Sequence, residues 1–227
     1  MNFKNWKQMV FILVIFGCVQ ALIFTTIAMF FYPGGTFNDP NTKGYLFWSN
    51  LFSDLGRFTA HSGESNLISF LIYNISLFLM GGLLIFYFIG MPLQFNEAEK
   101  GKQYIYAGSV LGIPICLSFI GASLTPADLF YGIHVSFGTF AFTFTLPVII
   151  LYAVGIYLNK DYPNLYSFIY VTLAAILFIF LLIMSLTFTE EGVSAIFAAG
   201  QNIVVIALTV CFAIQAYGAW KGQKVIS

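Results

Sequence analysis

Six apolar runs, each long enough to cross a bilayer as a helix, leave this 227-residue chain few choices of fold. A spanning helix needs roughly 20 apolar residues to cover about 30 Å of hydrocarbon. The runs lie at about 9–32, 67–91, 104–124, 132–158, 165–188 and 193–220. None alternates apolar with polar residues, as the strands of a membrane barrel would. Only 8% of residues are charged and 59% are apolar, where soluble domains carry roughly a quarter charged residues. The expected fold is an all-α integral membrane protein, one domain over 1–227 built as a six-transmembrane-helix bundle, with no soluble domain left over.

Lysine and arginine placement sets the expected orientation, because cytoplasmic loops carry the excess of both. Lys4, Lys7, Lys100, Lys102, Lys160, Lys221 and Lys224 fall on one side, and Lys43 and Arg57 on the other. Seven against two predicts a multi-pass cell-membrane protein with both termini cytoplasmic. The first run is too long for a signal-peptide core and lacks a small-x-small cleavage site, so it reads as a retained span. Asp39, Asp54, Glu64, Asp128, Glu190 and Glu191 lie outside, together with both histidines; Glu97, Glu99 and Asp161 lie inside. With nine basic and nine acidic residues, no basic field suggests nucleic acid. Cys18, Cys116 and Cys211 sit within separate spans, where they are expected to pack as small apolar residues.

The longest polar-rich passage, 45–66 (YLFWSNLFSDLGRFTAHSGESN), lies between the first two runs. Phe47, Trp48, Leu51, Phe52, Leu55 and Phe58 recur at three- and four-residue steps, which predicts an amphipathic interfacial helix. Ser49, Asn50, Ser53, Asp54, Arg57 and His61 fall on its other face, and Glu64 would join Asp54, Arg57 and His61 if Gly63 let the helix continue. Pro33-Gly34-Gly35 ends the first span, and Asn41-Thr42 is placed to cap the interfacial helix.

Polar residues inside the spans are few. Gln20 suits hydrogen bonds between helices, Asn74 lies roughly two to three turns into the second span, and Gly81-Gly82 suits a close helix contact or a bend. Pro114 and Pro147 should kink the third and fourth spans, while the featureless fifth should face lipid. Thr125-Pro126-Ala127-Asp128 reads as a helix start with Asp128 as its capping carboxylate, and Glu190-Glu191 as another. Counted from Pro126, His134 lies about 12 Å into its span beside Gly138. An ionisable residue at that depth is a functional candidate, with a neutral histidine bonded to another helix as the alternative. Gln201 and Asn202 lie at a similar depth, and two adjacent amides there should not both face lipid.

These residues leave three chemistries open. A divalent metal is possible if His61 and His134 ligate it with Asp54 or Asp128. Acid–base catalysis needs only a His–Asp pair, with Ser53 or Ser62 as candidate nucleophile. A binding or transport site would use Arg57 for an anionic head group. Both histidines lie on one side with one near the surface, which speaks against haem. No metal, hydrolase-elbow or phosphate-loop motif is present.

Ser53-Asp54-Leu55-Gly56 after an aromatic outer loop, a small-polar helix start at 62–66, Pro126-x-Asp128 with His134 and Gly138, and Gly200-Gln201 in the last span together form a pattern. It resembles the uncharacterised six-span bacterial family called domain of unknown function nine-nine-eight, and more distantly the Frag, DRAM and Sfk group. The resemblance implies membrane lipids as partners, since the distant group includes proteins tied to lipid-anchor remodelling. An arginine often follows the last-span amide in that family; Asn202 stands there here, so no role for it carries over.

The expected site is thus an outward-facing polar pocket that binds or processes a lipid or lipid-linked substrate. Asp54, His61, Asp128 and His134 are its catalytic candidates, and Ser53, Arg57, Glu64, Asn74, Gln201 and Asn202 its binding candidates. A membrane-embedded hydrolase or transferase, a small-solute or ion-coupled transporter, and a non-catalytic assembly partner all fit this reading.

Overall fold

A computed structural model describes residues 3–96, 99–187 and 193–225. It contains six long helices: α1 (Phe3–Phe31), α2 (Leu67–Gly90), α3 (Lys102–Leu124), α4 (Tyr131–Leu158), α5 (Asn164–Thr187) and α6 (Ala195–Val225). All six are long and apolar enough to cross a membrane. In such a medium a helix satisfies its backbone internally, which is why these sequences take this form. The chain is therefore a polytopic α-helical membrane protein. Glu97, Glu190 and Glu191 lie outside the described residues.

Each helix packs on its neighbour in sequence, and α6 returns to α1, closing the bundle. Gln20 ties α1 to α2, donating from Nε2 to the Ser76 carbonyl at 3.1 Å and to Gly17 at 2.9 Å. Gly81 packs closely on Cys116 and Ile120 of α3. The helices run through Pro114 and Pro147 without a break. Helix α5 is the least buried of the six and faces inward only along Ser167, Tyr170, Leu173, Leu177 and Phe180. The three cysteines are buried and free.

The two ends of the bundle differ. Near the termini the axis is filled by buried aromatic rings: Phe11, Tyr87, Phe88, Tyr152, Tyr170 and Phe212. Tyr87 and Tyr170 share a 2.7 Å hydroxyl–hydroxyl hydrogen bond, and Ser109 and Tyr152 one of 2.6 Å. At the opposite end, residues 32–66 form a cap over a second apolar cluster of Ala28, Tyr32, Phe52, Leu55, Ala60 and Tyr73.

The cap is not the extended amphipathic helix that its periodicity suggests. Its helical part is one 3-10 turn, Phe52–Gly56, and the remainder consists of turns, bends and two isolated bridges, Gly34 with Lys43 and Thr59 with Ser65. Asn41-Thr42 folds onto Asp39 instead of capping that turn. Gly35 adopts φ +82°, and a Cβ there would collide with the backbone at His61 and Ser62, so the Pro33-Gly34-Gly35 break also seats the far end of the cap.

Candidate functional site

A non-helical cap must find partners for its backbone groups elsewhere, and amide side chains supply many of them. Asn202, fully buried on α6, donates to the Phe47 carbonyl at 2.6 Å and the Asn50 carbonyl at 3.0 Å, and accepts from the Tyr45 hydroxyl at 3.3 Å. Gln201 accepts from the Phe52 amide through Oε1 at 3.0 Å. On α2, Asn74 donates to the Gly56 carbonyl at 3.1 Å and Ser69 to Leu55 at 3.2 Å. Just before α2, Asn66 holds the Leu55 and Arg57 carbonyls. Asn74 and Asn202 are therefore engaged in holding the cap, which accounts for them without a substrate.

Asp54 is the acceptor at the centre of the cap and is 4% exposed. Its Oδ2 accepts from the Asn50 side chain and from the Leu51 amide, each at 3.0 Å. Its Oδ1 meets His61 Nε2 at 3.0 Å. A carboxylate oxygen accepts, so Nε2 is the donor in this contact and Nδ1 is the ring nitrogen left over. The His61 ring also stands edge-on to Phe37. Tyr32 receives the His61 amide on its hydroxyl and donates to Gly35. Burial, and then the charge of Asp54, push the Tyr32 and Tyr45 phenols well above their ordinary range, so both remain neutral donors.

Asp128 does not cap α4. The helix begins at Tyr131, and Asp128 sits in the preceding turn. Its two oxygens accept from the Phe58 and Thr59 amides at 2.9 and 2.8 Å, so it fastens the cap to the α3–α4 turn. His134 consequently lies in the first turn of α4 and not some 12 Å inside a helix starting at Pro126. Its Nδ1 is 2.7 Å from the Thr125 carbonyl and 3.2 Å from Ala122. Carbonyls only accept, so Nδ1 bears the proton and Nε2 is the free nitrogen.

Asp54, Arg57, His61, Asp128, His134, Ser53 and Gln201 all line one cavity of about 390 Å³ beneath the cap. Its remaining walls include Val135 and Phe142 of α4, Met184 of α5 and Phe197 of α6. Glu64 is exposed and does not line it, because a turn at Gly63 (φ +85°) breaks the expected helical alignment. A second, apolar cavity of about 90 Å³ adjoins the first and reaches Leu84, Phe88 and Phe212. Ser53, His134, Gly138, Phe142 and Gln201 line both cavities and stand where the two adjoin, here called the neck.

No three His, Cys, Asp or Glu side chains among the described residues come together as a metal-ligand set. The geometry offers two imidazoles on one cavity, each with one nitrogen anchored and the other without a partner among the described residues. Comparison with family models, curated proteins and solved structures gives no match.

Asn50 and Asn66, buried and central to the cap, carried no site signal in the sequence beyond membership of a polar face or a helix start. A dense set of amides beside glycines was the available clue, since such residues satisfy irregular backbone.

Proposed function

We propose that this membrane protein takes a lipid or lipid-linked molecule, with its head group in the capped polar cavity and its tail in the adjoining apolar slot. One observation supports the reading: the cavity that Asp54, Arg57, His61, Asp128 and His134 line shares five lining residues with a second cavity that is almost wholly apolar. A cavity of about 390 Å³ is within the range of roughly 300–1,000 Å³ common for small-molecule sites. Lining residues of the apolar cavity run along α6 from Gln201 to Phe212, eleven residues or about 16 Å of rise, and its volume of about 90 Å³ has room for part of an acyl tail.

His61, oriented by Asp54, and His134, oriented by Thr125, are the acid–base pair of this proposal, facing the head group with Nδ1 and Nε2. Ser53 at the neck is the hydroxyl placed to receive or transfer a group. The aromatic floor counts against a transporter, which needs a polar path onward to the terminal end. Kinship with the six-span bacterial family and a cytoplasmic lysine-rich end belong to the same proposal.

The test is steric. A Cβ at Gly138 would meet no atom within 4 Å, so a side chain there starts in open space, and Gly138→Trp is the substitution chosen to fill the neck. A photoactivatable phospholipid added to the purified protein should label the walls of the slot around Leu84 and Phe88, and Gly138→Trp should abolish that labelling. Equal labelling in the variant would overturn the proposal.

A further inference from the structure

We infer that the group received at this site is an oxyanion, a phosphate or a carboxylate, held by Arg57 together with Gln201 and Ser53. The inference rests on the lipid reading above and specifies its polar end. It follows from which polar atoms on the cavity wall already have partners.

The carboxylate and amide acceptors are engaged, which leaves His61 Nδ1 and His134 Nε2 as the open acceptors on this wall. Asp54 receives three donors and Asp128 two backbone amides. Gln201 receives the Phe52 amide on Oε1. The donors are not. Arg57 uses only Nε, toward the Thr59 carbonyl at 3.2 Å, and its terminal nitrogens meet no acceptor among the described residues. With Oε1 engaged, the Gln201 amide nitrogen meets no acceptor among the described residues, and Ser53 Oγ likewise bonds to no described residue.

The Arg57 guanidinium lines the cavity with no carboxylate beside it among the described residues, so its terminal nitrogens are open to an acceptor on a ligand. Its planar fork matches a phosphate or carboxylate, and such charge-assisted bonds are roughly twice as strong as neutral ones. A cationic ligand would need a carboxylate free of donors, and this cavity has none among the described residues. Ser53 and Gln201 stand at the neck. An oxyanion bonded to them would therefore sit where the apolar slot begins, as it does in an anionic amphiphile.

The experiment uses the full-length protein in detergent micelles with three probes: phosphatidylglycerol, diacylglycerol with the same chains, and inorganic phosphate. Retention is read by native mass spectrometry. Phosphatidylglycerol should be retained about tenfold or more over diacylglycerol, the ratio expected of one charged hydrogen-bond set. Arg57→Gln should bring it down to the diacylglycerol level, and Arg57→Lys should fall between. Ser53→Ala should lower retention severalfold with an unchanged unfolding temperature, because Ser53 Oγ bonds to no other described residue; if Arg57→Gln misfolds, this variant and Arg57→Lys decide the matter.

Equal retention of phosphatidylglycerol and diacylglycerol, or indifference to all three substitutions, overturns the oxyanion and leaves the lipid reading standing. Binding of inorganic phosphate in an Arg57-dependent way, with neither lipid retained, supports the oxyanion and overturns the lipid reading.

Discussion

Asp54 is the residue whose replacement should be felt most widely. Alanine there deletes three hydrogen bonds of 3.0 Å to a carboxylate that is 4% exposed. Bonds to charged groups contribute about 1.5–3 kcal/mol each. Three do not add in full, because Asn50 keeps its 2.8 Å bond to the Gly35 carbonyl and His61 faces a cavity. The Leu51 amide is left with no acceptor. A loss of about 3–5 kcal/mol is expected, as for removal of one member of a buried pair. Asparagine is the informative contrast. Its oxygen still accepts from Leu51 and Asn50, so the cost should fall to about 1–2 kcal/mol. Its nitrogen, however, can only donate toward His61 Nε2, which must surrender its proton, and the free nitrogen of the ring is no longer basic. Unfolding in detergent gives the stabilities, and nitrogen-15 NMR of labelled His61 gives the tautomer. The reasoning is refuted if alanine costs less than about 1 kcal/mol, if the two variants cost the same, or if the tautomer is unchanged in Asp54→Asn.

Two further perturbations test the cap and the floor. Asp128→Ala should accelerate amide exchange at Phe58 and Thr59 by about tenfold or more while costing only about 1–2 kcal/mol, since those amides lie near the surface; unchanged exchange would deny Asp128 its tethering part. In the floor, Tyr87→Phe alone should cost about 1–3 kcal/mol by stranding the buried Tyr170 hydroxyl, whereas Tyr87→Phe with Tyr170→Phe should be close to neutral. Strictly additive losses in that double-mutant cycle would contradict the shared bond.

Much of the site was legible one residue at a time, though not its arrangement. Asp54 and His61 were singled out as members of one helical face. Seven residues apart, they would stand about 10 Å apart along a helix axis, yet they touch. The chain leaves its 3-10 turn at Arg57, runs extended, and turns back at Gly63, which brings His61 over Asp54 and carries Glu64 away. Asn74 and Asn202 were expected to meet a substrate, and they hold carbonyls of the cap. Asp128 was read as a helix cap because Thr-Pro-x-Asp fits that pattern locally. Its true partners, at Phe58 and Thr59, are about 70 positions away in the chain.

The sequence by itself determined the medium and the scaffold. Long apolar runs in hydrocarbon can satisfy their backbone only as helices, so number, length and chain order of the spans follow from composition alone. Tertiary structure decided the cap and with it the cavity. Local periodicity favoured a helix there, but a helix would have used its own carbonyls and left Asn66, Asn74 and Asn202 without acceptors at the bundle end. The irregular cap pairs those amides with its backbone and turns Asp54, Arg57 and His61 onto one wall. Such pairings join residues far apart in the chain, and no local pattern encodes them.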